Sequence, residues 1–264
     1  TIASLADKYM KKNGVYDGVY QLAGVPQLFI QKCVVGGRTM CRDNVKWRFD
    51  SIKNKQHKGK KMADYDGVSL YPSSMYRMEG CLKGLPKIIE KNNLNYDFLK
   101  SVDGYFVKIK ITEVGINRHF SLMSEVNENG VRVFHNDMED KIMYVDKTTL
   151  EDLINFQEVK FDVLCGYYYD EGRNPLISSV IKKVFDLRLK LKKEKNEAQL
   201  VYKLIMNSSY GKSILKPINT EEKIIDNEEK FLKFLQKNYN KIIEYNKFHN
   251  CNKYRVKLHK AINE

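Results

Sequence analysis

From Pro175 onward the apolar residues of this 264-residue chain take up a helical period, and that change constrains the fold more than any other feature. Leu176, Val180, Val184, Leu187 and Leu191 recur at the spacing of one helix face. The polar run Glu194-Lys195-Asn196-Glu197 breaks the pattern, and a second helix then carries Leu200, Lys203, Leu204 and Asn207. Two helices joined by so short a polar turn predict a helical hairpin, inserted in an otherwise mostly β chain.

The β character lies upstream. Tyr105–Ile111 alternates as a half-buried strand does, and Phe161–Tyr169 reads as another. Val131–Phe134 and Lys141–Val145 suggest a strand pair with Asn136 and Asp137 between them, and Thr148–Leu153 reads as a capped helix start. A strand is expected over Met62–Asp66, turning at Gly67 into a helix that begins near Pro72. Near the N-terminus a short polar helix covers Ala3–Lys12, followed by turn signals at Gly14, Gly18 and Gly24-Val25-Pro26. After Pro217 the signal weakens, and Glu222–Tyr245 is read as one helix or two. Internal repeats and low-complexity tracts are absent.

Lys and Arg outnumber Asp and Glu by 46 to 33, which gives a net charge of +13. Such an excess favours polyanionic partners, because each cation set on a phosphate releases a condensed counterion. A lysine-rich, AT-biased genome would produce the same excess. The lysines of the loop at Lys53, Lys55, Lys58, Lys60 and Lys61 read on their own as a solvated run. The five cysteines, Cys33, Cys41, Cys81, Cys165 and Cys251, show no metal-ligand spacing, so they are expected to be buried or partly buried thiols of a reducing compartment. No apolar run approaches the roughly 20 residues that span a bilayer, so no membrane partner is expected. No secretory signal is visible, and an intracellular site of action is expected. The chain opens on Thr1 rather than Met, which reads as a start inside a longer protein.

Two runs carry chemistry. The first, Asp66-Gly67-Val68-Ser69-Leu70-Tyr71-Pro72-Ser73, puts a carboxylate before a turn whose backbone N–H groups can cradle an anion. The second is Lys203-Leu204-Ile205-Met206-Asn207-Ser208-Ser209-Tyr210-Gly211. There Lys203 and Asn207 are helix neighbours and Tyr210 falls near the same face. On the preceding helix Arg188 and Lys192 are again four apart. A carboxylate for a divalent metal and cations for a triphosphate are the parts that phosphoryl transfer needs.

In this order the two runs resemble motifs A (DxxSLYPS) and B (KxxxNSxYG) of family B DNA polymerases, most closely the protein-primed branch of viruses, linear plasmids and Polinton-type elements. The resemblance implies an α+β fold, a partial right-hand polymerase with the first part of the palm, an insertion and helical-hairpin fingers. The exonuclease domain, motif C (Tyr-x-Asp-Thr-Asp-Ser) and the thumb are lacking. It divides the chain into a connector over 1–61, a first palm part with a terminal-protein-region-like insertion over 62–174, fingers over 175–212 and a return segment over 213–264. Tyr144–Leu153 looks similar to the strand–helix junction of that insertion, and Asp146, with the wrong flanks for motif C, is not read as a metal ligand.

By the same resemblance Asp66 is the catalytic metal ligand, with the carbonyl of Gly67 also facing magnesium, two ions of which serve the complete enzyme. Ser69 and Leu70 lend backbone amides to the triphosphate, and Tyr71 sits under the deoxyribose, where it clashes with a 2′-hydroxyl. Arg188, Lys192, Lys203, Asn207 and Tyr210 complete the nucleotide-binding set. Gly36, Gly37 and Arg38 resemble the Tyr-x-Gly-Gly template motif, although Val34 stands at the tyrosine position. With Ser208, Gly211, Lys212 and Lys216 they form the implied DNA contacts. The implied partners are primer-template DNA, dNTPs and, in this branch, a terminal protein primer. With Asp66 the sole motif aspartate, the isolated chain is expected not to polymerise. The alternatives are a non-catalytic DNA-binding remnant and one half of a split polymerase.

Overall fold

In the computed structural model the described residues are 1–50, 52–53, 55–67, 69–213, 220–249 and 251–260. They form two compact units, one of residues 1–22 and 26–213 and the other of residues 23–25 and 214–264.

The first unit opens with α1 (Ile2–Lys12), capped by the Thr1 hydroxyl on the Ser4 N–H. The helix α2 (Gly24–Cys33) begins at Gly24-Val25-Pro26, where the sequence was expected only to turn. Gly24 has a φ of 63°, and a proline two residues on suits a first helical turn as well as a loop. The helix α3 spans Leu70–Arg77, and the two-residue strands β1 (Cys81–Leu82) and β2 (Lys87–Ile88) follow it. No strand forms over Met62–Asp66. Lys61–Gly67 is exposed, and among the described residues no neighbouring strand takes up a backbone ladder there.

After the short helix α4 (Tyr96–Lys100) come β3 (Gly104–Val114), β4 (Ser124–Val126), β5 (Arg132–Phe134), β6 (Ile142–Asp146), α5 (Lys147–Gln157) and β7 (Val159–Tyr169). The main sheet is antiparallel in the order β2-β7-β3-β6. Val107, Ile109, Ile111, Met143 and Val145 alternate inward and bury against Leu99, Leu150 and Leu153. The expected pairing of residues 131–134 with 141–145 is not formed. β5 pairs instead with β4, while β6 pairs with β3. The Asn127 side chain accepts from the N–H groups of Asn129 and Val131 and closes the β4–β5 turn, and the alternation of Met143 and Val145 finds its apolar match on β3. Asp146 caps α5, accepting from Thr149 N at 2.9 Å. Buried Gln157 pins the loops around this core: its Oε1 accepts from Leu122 N, and its Nε2 donates to the Ile116 carbonyl and to Asn136 Oδ1.

The short strand β8 (Arg173–Asn174) pairs with β1 and leads into α6 (Leu176–Lys193), which the turn at residues 194–197 joins to α7 (Gln199–Ser213). This is the hairpin foreseen from the apolar period. It packs on α1 through Ala6, Val184, Ile205 and Met206.

The second unit is a three-stranded antiparallel sheet in the order β10-β11-β9, built from β9 (Thr220–Ile225), β10 (Ile242–Lys247) and β11 (Tyr254–His259), with α8 (Glu228–Asn238) packed on it. Phe231 stacks on Tyr254 at 4.1 Å above Val256 and Leu258. The expectation of helix alone over Glu222–Tyr245 is thereby corrected. Asn227 caps α8 by accepting from Glu229 N and Lys230 N, and the isoleucine pairs on either side enter strands.

The cysteines are all free, and the expectation that they lie buried or partly buried holds only for Cys33 and Cys81. Burial pushes the Cys33 thiol up to about 12. Cys41, Cys165 and Cys251 are exposed, in a loop, on a strand opposite Lys108 and just before β11. Among the described residues no helix is long and apolar enough to cross a membrane.

Candidate active site

The helix α3 carries the first motif and packs against both arms of the hairpin. Met75 joins Met10, Val15, Ile177, Val180 and Ile181 in one buried cluster, with Pro72 buried on the same helix. Leu70 and Tyr71 are left exposed at the start of the helix. Ser69, the N-cap, holds left-handed backbone at φ 49° and ψ 51°, so the chain turns sharply out of the Asp66-Gly67 loop. That conformation costs a non-glycine residue about 1–2 kcal/mol. Two contacts hold it: the Ser69 carbonyl accepts from Ser73 N at 2.9 Å, and Ser69 Oγ accepts from Arg188 Nη1 at 3.3 Å.

The Tyr71 ring stacks on Tyr210 of α7, with centroids 4.6 Å apart and planes inclined by 19°. Lower on the same helix the Ser178 hydroxyl of α6 donates to the Tyr76 carbonyl at 2.6 Å. The structure therefore brings Ser69, Tyr71, Arg188 and Tyr210 together. Arg188 is half-buried, and its Nε–H has no partner among the described residues although it is shut off from solvent. A guanidinium offers five donors, and unused buried donor capacity is what an anionic ligand would take up.

Along α7, Ile205, Met206 and Ser209 form the buried side, with the Ser209 hydroxyl donating back to the Ile205 carbonyl. Lys203 and Asn207 lie on the exposed side, with Ser208 and Tyr210 half-buried. Lys192 and Lys212 are exposed. At Gly211 an added Cβ would meet open space. Lys216 and Pro217 lie outside the described residues.

Asp66 and Gly67 are exposed in the loop ahead of α3. Among the described residues no group of three or more His, Cys, Asp or Glu side chains could hold a metal ion. The accessible Asp66 carboxylate nonetheless fits magnesium, which takes one or two protein carboxylates and fills its shell with water and phosphate oxygens. Gly36 and Gly37 are exposed, and neither position is crowded by the rest of the chain. Arg38 donates to the carbonyls of Ser121 at 2.8 Å and Phe120 at 3.4 Å, and its guanidinium lies 6.0 Å from the Phe134 ring centroid.

One positioning residue escaped the sequence reading. Asn174, buried just before α6, donates from Nδ2 to the carbonyls of Gly14 at 2.7 Å and Asp17 at 3.1 Å, and its Oδ1 accepts from Leu176 N. At Gly80, three residues past α3, the φ is 141°, and any Cβ would land on the Asn174 carbonyl. Asn-Pro is a turn signal that marks position 174, but only the fold shows what the amide holds.

Residues 1–263 match the family of type B DNA polymerases, organellar and viral, and the chain belongs to it. A curated relative is the DNA polymerase of Acidianus bottle-shaped virus (isolate Italy/Pozzuoli), 52% identical over 53 residues, which are 19% of this chain and 8% of that protein. Among solved structures the fold is similar to Phi29 DNA polymerase complexed with primer-template DNA, at a TM-score of 0.54 and 16% identity over 98% of this chain and 47% of that one. The Phi29 enzyme with single-stranded DNA matches at a TM-score of 0.55, also at 16% identity, over 99% of this chain and 48% of that one. Its ternary complex with primer-template DNA and incoming nucleotide matches at 0.53 and 16% identity, over 99% and 49%. The chain thus spans about half the length of the Phi29 polymerase and aligns with a small part of the Acidianus virus enzyme.

Proposed function

We propose that this chain is the palm-and-fingers portion of a protein-primed family B DNA-directed DNA polymerase, with the connector, palm, fingers and return segments bounded at residues 61, 174 and 212. The observation that carries the reading is the convergence of the two motifs, in which Tyr71 stacks on Tyr210 while Arg188 bonds to Ser69. A carboxylate-bearing loop and a cationic helical hairpin meet at one helix N-terminus, the arrangement that a nucleoside triphosphate with its metal requires.

In the complete enzyme Asp66 and the Gly67 carbonyl would hold magnesium, which would supply charge neutralisation at the triphosphate and at the attacking hydroxyl of a primer or a protein. Arg188, Lys192 and Lys203 bind the phosphates, while Ser69 and Leu70 lend them backbone amides. Tyr71 screens the sugar, and Asn207 and Tyr210 orient the incoming nucleotide. Gly36, Gly37, Arg38, Ser208, Gly211 and Lys212 line the path of primer and template, contacts that position DNA without reading its sequence. The Phi29 structures with primer-template DNA and incoming nucleotide support those partners, and the viral relative supports a viral replication setting.

A single carboxylate cannot hold two metal ions at working geometry, so the isolated chain does not polymerise. Primer extension with magnesium and dNTPs tests both halves of the reading. The purified chain incorporates nothing and the complete enzyme extends the primer; robust synthesis by the isolated chain, or none by the complete enzyme, overturns it.

A further inference from the structure

Between Arg42 and Lys61 the chain carries eight Lys or Arg and two Asp, a surplus of six in a chain whose net charge is +13. Both carboxylates are already engaged. Asp43 accepts from His119 Nδ1 at 2.8 Å, and Asp50 accepts from the N–H groups of Ile52 and Lys53. Among the described residues Lys46, Arg48, Lys55 and Lys58 form no ion pair. Set among these free cations are large apolar groups that the fold leaves in water: Trp47 is 64% exposed and Tyr65 is 90% exposed.

A solvated linker needs no such rings, since burying one would contribute about 1.5–3 kcal/mol. Their presentation is also built. The Trp47 indole N–H donates to the Arg42 carbonyl at 3.3 Å, which fixes one edge of the ring and leaves its face open. Phe49 stacks on His57 at 5.2 Å, and the Asp50 N–H donates to His57 Nδ1, so the chain folds back just beyond the tryptophan. Lys46-Trp47-Arg48-Phe49 thus alternates cations with rings on an accessible, self-braced loop.

We propose that Lys46–Phe49, with Lys55 and Lys58, is a binding site for an unpaired nucleic-acid strand, in which a base stacks on Trp47 and the cations neutralise the flanking phosphates. Base–aromatic stacking tolerates any sequence, because every base has a π-face, and the lysines add a salt-dependent grip on the backbone. A duplex keeps its bases stacked inward and offers the ring nothing, so the site discriminates unpaired from paired strands. The site goes beyond the DNA contacts of the proposed function, which lie at Gly36–Arg38 and along α7, and the emission of Trp47 reads it separately from them.

Trp47 is the only tryptophan of the chain, so its emission reports the site directly. Titration of the full 264-residue chain with a dodecameric oligothymidylate quenches that emission saturably, and the affinity falls steeply between about 50 and about 200 mM salt. A duplex of the same length binds without comparable quenching. By anisotropy of labelled oligothymidylate, Trp47→Ala binds roughly 5- to 150-fold more weakly, whereas Trp47→Phe stays within a few fold of the parent. Circular dichroism shows both variants folded. Oligothymidylate that binds while the emission stays unchanged overturns the proposal, as does equal quenching by heparin, or no binding at all. A blue-shifted emission on vesicles of phosphatidylserine and phosphatidylcholine without oligothymidylate binding also overturns it and assigns the loop to an anionic membrane surface.

Discussion

The ring of Tyr71, at the start of α3, lies 4.6 Å from that of Tyr210, near the end of α7, with the planes 19° from parallel. One tyrosine belongs to the first motif and the other to the second, so this stack joins the two ends of the candidate site. It sits beside a second link between the same regions, Arg188 to Ser69. The two contacts couple the loop that bears Asp66 to the helices that bear the cations.

The first prediction concerns that stack. In a double-mutant cycle on the purified chain, Tyr71→Ala and Tyr210→Ala show a coupling of about 0.5–1.5 kcal/mol in urea unfolding, the value typical of an aromatic pair. Additive effects would mean that the rings do not stack in solution. In the complete enzyme Tyr71→Ala also relaxes discrimination against ribonucleotides, measured as the ratio of kcat/KM values for dNTP and rNTP.

The second concerns the joint where α3, the N-terminal turn and α6 meet. Asn174→Ala strips hydrogen bonds from the carbonyls of Gly14 and Asp17 and from Leu176 N. The Gly14 carbonyl keeps its bond from Asp17 N, and Asp17 and Leu176 are exposed. The loss is therefore that of ordinary part-buried hydrogen bonds, about 0.5–1.5 kcal/mol each, and the unfolding midpoint drops. Gly80→Ala destabilises through a different cause, a positive φ combined with a clash against the Asn174 backbone. Either variant with parental stability in urea would show that this joint bears little strain.

The third is a pH dependence. The Lys141 ammonium, 2.9 Å from Glu125, holds that carboxyl below the usual carboxylate range, with His135 adding to the effect and partial burial opposing it. A carboxyl lowered on folding stabilises the fold above its unfolded value, about 4.3, and loses that contribution as pH falls through the folded one. The exposed geometry keeps the effect below about 1 kcal/mol. Glu125→Gln is accordingly less stable than the parent near neutral pH, and the gap closes below roughly pH 4. A gap that stays constant across that range would remove Glu125 as its cause.

The hairpin was legible because an amphipathic helix writes its period into contiguous sequence, as Leu176, Val180 and Val184 do. Strands were legible where alternation was long, as over Tyr105–Ile111, and illegible where membership depends on a partner. Met62–Asp66 has strand-like chemistry but no ladder, and Arg132–Phe134 found Ser124–Val126 rather than Ile142–Asp146. In the second unit Asn227 marks a helix start amid lysines, and the strands around it are defined only by one another. At the site, residue types and spacing pointed to Asp66, Arg188 and Lys203. The contact of Arg188 with the Ser69 side chain and the role of Asn174 depend on tertiary packing that no local pattern encodes.

The last prediction separates two ways of disabling the site. Asp66 and Lys203 are both exposed, so replacing either with alanine should change the unfolding free energy of the chain by no more than about 0.5 kcal/mol. Any large loss in the complete enzyme is then a loss of chemistry or binding rather than of folding. On the proposed role of Asp66 as metal anchor, Asp66→Ala abolishes synthesis at every dNTP concentration while primer-template affinity is kept. On the proposed role of Lys203 as a phosphate contact, Lys203→Ala raises the KM for dNTP while kcat falls less. A Lys203 variant with unchanged KM would exclude that lysine from the nucleotide site, and an Asp66 variant that still extends primers would exclude Asp66 as the metal anchor.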